Sequence, residues 1–126
     1  MANENRRKYF RLELDANVNV YSEEKSKSVR DDKISATLKN ISAGGVCFSS
    51  RTKLTPGNII KLEVLLPGEN MPFCLRGEVL WSNPVDGGDI YDTGIKMLSM
   101  GEGDEQKFIK YICVKMSERL SKHLHF

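Results

Sequence analysis

A chain of 126 residues that is 40% hydrophobic is long enough to bury one core without a metal or a disulfide, and we expect a single domain. Its 19 basic and 17 acidic residues leave a formal net charge of +2. A charge so close to zero excludes a polyanion-binding protein of the histone type, so any site for an anion must be local.

The first notable segment is a cationic run, Arg6-Arg7-Lys8-Tyr9-Phe10-Arg11. The guanidinium groups of Arg7 and Arg11 can each donate two parallel hydrogen bonds, which suits two phosphate oxygens or the O6 and N7 atoms of guanine. Lysine cannot reproduce this fork, so Lys8 adds local positive charge, as Arg6 does. Taken alone, a short basic cluster of this kind is more often a solvated terminus than a binding site.

Strict alternation of apolar and polar residues begins at Leu12 and predicts a half-buried strand. Residues 21–33 are too polar to pack, which favours a solvated hairpin loop. Alternation then resumes and, with the turns between, predicts five more strands. Their apolar positions run from Ile34 to Leu38, Val46 to Phe48, Ile60 to Leu66, Phe73 to Trp81 and Tyr91 to Met97.

The turn between the second and third predicted strands carries another motif, Asn40-Ile41-Ser42-Ala43-Gly44-Gly45. Asn40 and Ser42 are short polar side chains that either stabilise the turn through its backbone or present donors and acceptors to a ligand. Gly44 and Gly45 allow positive φ and close backbone approach, and exposed N–H groups in such a turn can form an anion nest. Alone, the motif is more often a hairpin turn with polar decoration.

The last quarter of the chain changes its period. Phe108, Ile112, Met116 and Leu120 recur at helical spacing and predict an amphipathic helix. Ser99-Met100-Gly101-Glu102 can form a capping box before it. The periodicity leaves open whether the apolar stripe is wholly core or partly a docking face.

Many short antiparallel strands with regular turns, and no βαβ spacing, predict a small closed barrel. The expected fold class is therefore mainly β, a six-stranded antiparallel barrel with a C-terminal amphipathic helix. We divide the chain into an N-terminal arm at residues 1–11, the barrel at residues 12–98 and the helix at residues 99–122.

The cysteines bear on the cellular compartment. Cys47, Cys74 and Cys113 are far apart, odd in number and embedded in apolar segments, which favours buried thiols in a reducing compartment over a disulfide framework. No stretch of the sequence approaches the ~20 apolar residues of a membrane span, and the first residues lack the apolar core of a signal peptide. We expect a cytoplasmic protein that does not insert into a membrane.

Catalytic and metal-binding patterns are missing from the sequence. It has no paired carboxylates, nucleophile elbow, HExxH or P-loop pattern, so we expect a protein that is not an enzyme and needs no cofactor. His123, His125 and Cys113 have no second pair of ligands at a useful spacing and do not predict a metal site.

Two further side chains are candidates for ligand contact. Trp81 carries an indole that can stack on a base, but its phase with Leu75 and Val79 favours core packing. Lys96 and Arg76 lie on the opposite phase of their strands, so they are expected to face solvent, where they can meet a phosphate.

Together, the two motifs resemble those of the PilZ domain, the bacterial receptor module for cyclic di-GMP. That family has an RxxxR motif in an arm before the first strand, here Arg7 to Arg11, and a (D/N)xSxxG motif in the following turn, here Asn40 to Gly45. Val79-Leu80-Trp81, Thr93-Gly94-Ile95-Lys96-Met97 and the closing helix are similar to its later elements. The resemblance covers almost the whole chain.

The resemblance implies a six-stranded barrel whose arm folds over its surface and clamps the dinucleotide. Arg7 and Arg11 would grip guanine edges and phosphates, and the turn would hold the other guanine and the adjoining backbone. The doubled arginine, Arg6 with Arg7, implies that the ligand can bind as a stacked, intercalated dimer. The implied ligand-binding residues are Arg6, Arg7, Arg11, Asn40, Ser42, Gly44 and Gly45, with Lys8, Trp81 and Lys96 as further candidates.

The leading hypothesis is a sensor in bacterial second-messenger signalling, in which cyclic di-GMP orders the arm and changes the interaction with an unidentified downstream protein. The sensor would be a monomer or a homodimer. One alternative is a small barrel that binds single-stranded nucleic acid through its basic arm and aromatics, and the near-neutral net charge counts against it. Another is a PilZ-like scaffold that has lost ligand binding, and the intact motifs count against that.

Overall fold

Six antiparallel strands close into a barrel, and one helix follows them, in the computed structural model of the chain, which describes residues 12–23, 33–42 and 44–124. The strands are β1 (Leu12–Ser22), β2 (Ile34–Ile41), β3 (Gly45–Ser50), β4 (Ile59–Leu65), β5 (Phe73–Pro84) and β6 (Tyr91–Met100), and the helix is α1 (Asp104–Leu124). Alternation and helical periodicity therefore predicted the fold class correctly, and it is confirmed for these residues.

The barrel closes in the strand order β1-β2-β3-β6-β5-β4, with β4 pairing back to β1. Side chains that alternate along each strand therefore point either into one shared core or out to solvent. The inward residues are mostly apolar, and the least accessible of the apolar ones, at 0% exposure, are Leu38, Phe48, Leu62 and Val64. Two inward hydroxyls, those of Ser82 and Thr93, satisfy each other in a hydrogen bond of 2.9 Å.

β1 is longer than the sequence pattern predicts. Tyr21 and Ser22 were expected to begin a loop, but they continue the strand and pair with Lys61 and Ile60. The reason is that β4 runs on alongside β1 after the pairing with β2 has ended, so polar residues there still find strand partners. Residues 24–32 of the predicted loop lie outside the described residues.

α1 packs its first half on the barrel. Phe108 is 2% exposed and meets Phe73 of β5 edge to face, with ring centroids 6.1 Å apart. Ile112, one turn later, is also buried, and Met116 is half-buried. Leu120, in contrast, is 56% exposed. The predicted apolar stripe is thus core over the first half of the helix and surface at Leu120.

The helix begins at Asp104, and the capping box predicted at Ser99 is wrong. Ser99 still belongs to β6, where it pairs with Arg76 of β5. The Asp104 carboxylate instead accepts a hydrogen bond of 3.0 Å from the Cys74 N–H. The first residue of α1 therefore attaches the helix directly to β5.

Candidate functional site

Backbone hydrogen bonds hold the turn between β2 and β3. The Ser42 N–H donates to the Gly45 carbonyl at 2.9 Å, and the Met97 N–H of β6 donates to the Gly44 carbonyl at 3.2 Å. The Gly44 N–H donates to Ser42 Oγ at 3.2 Å, so this hydroxyl acts as an acceptor inside the turn. Because a hydroxyl is also a donor, its proton can serve an acceptor outside the turn, such as a ligand oxygen.

Gly45 is explained by the close approach of two strands. It lies in extended β3, and its φ is outside the left-handed region. A Cβ built on Gly45 would collide with the backbone carbonyl oxygen of Ile95 on β6. Of the two possibilities that glycine allows here, Gly45 uses close backbone approach and not a positive φ, because its missing side chain lets β3 lie against β6.

Five residues from five strands stand in register across the outer face of the barrel. Glu13 of β1 pairs with Asn40 of β2, which pairs with Cys47 of β3. Cys47 pairs with Gly94 of β6, which pairs with Trp81 of β5. Residues opposite one another on paired strands share a face, so we call these five residues the outer row. It places Asn40 and Trp81 on one continuous surface.

Trp81 lies on the outer face, and the prediction of core packing is wrong. Val79 and Ser82 point inward with 1% and 5% exposure, whereas Leu80 and Trp81 between them are 51% and 40% exposed. A bulge between Val79 and Trp81 is the cause, because one extra residue shifts the alternation of the strand. The indole lies over Gly94, where a Cβ would be 2.6 Å from the indole Nε1.

Lys96 and Arg76 are both exposed, as predicted, but only Lys96 is beside the turn. Lys96 pairs in register with Gly45. Arg76 is held by Glu23 in a two-pronged ion pair, with Nε 3.0 Å from Oε2 and Nη2 3.0 Å from Oε1. The hydrogen bond from Arg76 lowers the pKa of Glu23, so Arg76 already has a carboxylate partner.

The described surface near Asn40 has little net positive charge. Lys39 Nζ lies 3.0 Å from Asp92 Oδ2, and Ser49 Oγ donates to Asp92 Oδ1 at 2.6 Å. Partial burial opposes the ionisation of Asp92, but the hydrogen bonds from Ser49 and Lys39 outweigh it and lower the pKa of Asp92. Lys39 is thus paired, and the acidic Glu13 borders the same pocket as Lys39 and Asn40.

The arginine motif of the sequence, with Arg6, Arg7, Lys8 and Arg11, lies outside the described residues. The structure does describe the point where this segment joins the barrel. Leu12, bonded to Arg11, pairs with Ile41, the residue before Ser42. The segment is therefore attached to the barrel next to the turn, so the two motifs are neighbours at this point.

Of the predicted site residues that are described, all lie in the turn, beside it or in the outer row: Asn40, Ser42, Gly44, Gly45, Trp81 and Lys96. Glu13, Cys47 and Gly94 complete the outer row and were missed, because only cross-strand register reveals them. In the described part of the chain, no cluster of three or more His, Cys, Asp or Glu residues could hold a metal ion. No helix there is long and apolar enough to cross a membrane.

Fold and turn together define a class of protein, a six-stranded antiparallel barrel that carries an NxSxxG turn at the end of β2 and is closed by a C-terminal helix. Residues 5–113 match the family model of the PilZ domain. The chain belongs to the PilZ domain family. Among curated proteins, none matches the sequence significantly.

Several solved structures share this fold at low sequence identity. The Bacillus subtilis inhibitor of motility, MotI/DgrA, has a TM-score of 0.69 and 20% identity over 90% of this chain and 52% of that chain. The PilZ domain of YcgR from Escherichia coli, solved with c-di-GMP, has a TM-score of 0.66 and 18% identity over 96% of this chain and 99% of that chain. The K. pneumonia MrkH–c-di-GMP complex has a TM-score of 0.66 and 16% identity over 92% of this chain and 55% of that chain. This chain spans about half the length of MotI and of MrkH.

Proposed function

We propose that this PilZ domain is a non-enzymatic receptor that binds cyclic di-GMP on the turn and the outer row. One observation carries the proposal: Leu12, the first residue after the arginine motif, pairs with Ile41 beside Ser42. Cyclic di-GMP presents guanine edges and phosphates, which arginine forks, amides and hydroxyls recognise. The YcgR PilZ domain and MrkH, which share the fold, were solved with this ligand, and this supports the choice.

The arginine motif supplies the charge in this proposal. Cyclic di-GMP has a formal charge of two minus, and the described surface offers little net positive charge because Lys39 is paired with Asp92. Arg7 and Arg11 grip guanine edges and phosphates with bidentate hydrogen bonds. Lys8 adds charge that attracts the ligand without orienting it. Arg6, next to Arg7, admits a second ligand molecule stacked on the first.

The turn recognises the second guanine and the adjoining backbone of the ligand. The Ser42 hydroxyl accepts from the Gly44 N–H, so it is held in place while its proton is donated to the ligand. The amide of Asn40, half-buried at the end of β2, offers both a donor and an acceptor to a base edge. Lys96 faces outward beside Gly45, where its ammonium group reaches a phosphate.

Arginine contacts alone do not account for tight binding. Bidentate contacts to guanine contribute about 1 to 3 kcal/mol each, and a micromolar dissociation constant corresponds to roughly 8 kcal/mol. Stacking of a base on an aromatic ring adds about 1 to 3 kcal/mol. Trp81 is 40% exposed in the outer row, and we assign this stacking contact to it.

Binding is proposed to act on a downstream partner by ordering the arginine motif against the outer row, which creates a new surface. The hydrogen bond that can transmit this change to the helix involves Glu13, the residue after Leu12. Arg119 Nη2 donates to the Glu13 carbonyl at 2.6 Å, which ties the start of β1 to the second half of α1. This hydrogen bond offers a path from the start of β1 to the exposed end of the helix, near Leu120.

Titration calorimetry with cyclic di-GMP tests the function directly. We expect saturable binding, and much weaker binding of GMP and cyclic di-AMP, because neither presents two guanines on one cyclic backbone. The measured stoichiometry of wild type and Arg6→Ala then tests the second ligand molecule. Absence of heat at high micromolar cyclic di-GMP would contradict the proposal.

The outward position of Trp81 also favours a second candidate, binding of single-stranded nucleic acid, because an exposed ring can stack any base and the sequence carries a basic segment. The paired state of Lys39 and the acid Glu13 argue against it. A titration with a single-stranded oligonucleotide over a range of salt separates the two. Steep salt dependence with no preference for cyclic di-GMP would select the nucleic-acid function.

A further inference from the structure

We propose that Gly94 is a positioning residue of the ligand site, which holds the Trp81 indole against the barrel so that the outer face of the ring can receive a base. This inference rests on the proposed function and deepens it. Gly94 lies between Cys47 and Trp81 in the outer row. It is buried, although Trp81 above it is 40% exposed.

The indole contacts Gly94 through the face of its ring. A Cβ built on Gly94 would be almost equally distant from three joined ring atoms, Cε2, Cζ2 and Nε1, with Nε1 at 2.6 Å. The nearest of the three is Cε2, which is bonded to the other two, whereas a Cβ in the plane of the ring would lie closer to Cζ2 and Nε1 than to Cε2. Atoms in ordinary contact are about 3.5 to 4.0 Å apart, so any side chain at position 94 would push the ring outward by about 1 Å.

The backbone conformation does not require glycine at position 94. Its φ lies outside the left-handed region, and the three atoms nearest to a built Cβ all belong to Trp81. Gly77 provides the contrast, because a Cβ there would be 2.6 Å from Ile95 Cδ1 and 2.9 Å from the Lys96 carbonyl oxygen. Glycine at 77 therefore relieves crowding against the neighbouring strand, whereas glycine at 94 leaves room for the indole.

Stacking of a base on the indole requires a fixed position of the ring. Binding sites require their groups to be within about 0.5 Å of the productive geometry, and the displacement expected from a Cβ at position 94 exceeds this. With glycine, one face of the indole is closed by the barrel and the other is open to the ligand. Gly94 thus acts on the ligand through Trp81, without a contact of its own.

The test is a double-mutant cycle on the full chain, with cyclic di-GMP affinity measured by titration calorimetry. Trp81→Ala and Gly94→Ala are each expected to weaken binding about fivefold or more. The double variant is expected to bind no more weakly than Trp81→Ala alone, because Gly94 acts only through the ring. Trp81 is the single tryptophan of the chain, so a shift of its emission in ligand-free Gly94→Ala is expected to report the displaced ring.

Wild-type affinity in Gly94→Ala, or a full additional loss in the double variant, would overturn the inference. If Gly94→Ala fails to fold, the double variant must recover the fold, since removal of the indole removes the collision. A double variant that also fails to fold would count against the role of Gly94. If wild type itself does not bind cyclic di-GMP, the proposed function fails and the ligand role of Gly94 falls with it, an outcome that the wild-type titration distinguishes from the others.

Discussion

The two ends of the proposed ligand surface are built by different interactions. At the turn, Ser42 Oγ is fixed by a hydrogen bond from Gly44, two residues away along the chain. At the other end, the Trp81 indole is fixed by packing on Gly94, which belongs to another strand. The turn therefore depends on local sequence, whereas the aromatic end depends on strand pairing and on a bulge. Substitutions at the turn should remove contacts to the ligand directly. Substitutions at Gly94 should weaken binding by displacing the Trp81 indole.

The arginine motif should give the largest effect, because it supplies the charge for both ends. We expect Arg11→Ala to weaken cyclic di-GMP binding roughly 10- to 100-fold, the loss of one bidentate contact. Lys8→Ala is the matched control, since it removes one charge from the same segment, and we expect a change of at most about threefold. Equal losses in the two variants, measured by calorimetry, would mean that the segment attracts anions without recognising guanine.

Gly45→Ala should separate folding from binding at the turn. Its Cβ would collide with the Ile95 carbonyl, so we expect the ligand-free protein to lose about 1 to 3 kcal/mol of unfolding free energy. Gly88→Ala is the control, because a Cβ there would be 3.5 Å from the Val85 carbonyl oxygen, an ordinary contact. Thermal or urea unfolding of the two variants checks this. A fully stable Gly45→Ala would show that the close approach of β3 to β6 does not require glycine at this position.

Ser42→Ala should combine a moderate loss of binding with a small loss of stability. Removal of the hydroxyl takes away a donor to the ligand, and we expect about tenfold weaker binding. It also leaves the Gly44 N–H without its acceptor, at a cost of about 1 kcal/mol. Ser117→Ala, on the exposed side of α1, controls for both measurements. Unchanged affinity for cyclic di-GMP in Ser42→Ala would show that the hydroxyl serves only the turn.

The turn and the strands could be predicted because they depend on near neighbours in the sequence. Alternation located all six strands, and the polar residues with two glycines located the turn. Trp81 and Ser99 were predicted wrongly because each depends on a partner strand. The bulge in β5 moves Trp81 outward, and the continued pairing of β6 with β5 keeps Ser99 in a strand. Gly94 has no local signal either, because its role becomes visible only when Trp81 lies opposite it.

Cys47 offers a direct probe of the surface between the two ends. It stands between Asn40 and Gly94 in the outer row and is partly exposed. If cyclic di-GMP spans the row, it should slow alkylation of Cys47 by a maleimide several-fold. Cys113 on α1, which was expected to be buried, is exposed and serves as the internal control, and its rate should not change. Mass spectrometry of the labelled protein distinguishes the two sites, and equal rates with and without bound ligand would place the ligand elsewhere.

The smallest effect is expected from the Lys39–Asp92 ion pair, which connects β2 to β6 between the two ends of the surface. The pKa of Asp92 is lowered in the folded state, so folding favours the ionised form. Its contribution to stability is present above the ordinary aspartate value of about 4 and is lost as the pH falls through the folded pKa. The pKa of Lys39 is raised by its hydrogen bond to Asp92. The contribution of Lys39 to stability is therefore lost only as the pH rises through its folded pKa.

Because the Lys39 side chain is 49% exposed, water screens the pair, and we expect Asp92→Asn to cost at most about 1 kcal/mol at neutral pH. The difference from wild type should vanish in acid unfolding measurements, where Asp92 is protonated. Trp81 emission should be the same in both proteins, because the indole rests on Gly94 and not on the ion pair. A shifted emission in Asp92→Asn would mean that the Lys39–Asp92 ion pair, and not Gly94, fixes the position of the Trp81 indole. The turn and the indole would then not be held by separate interactions.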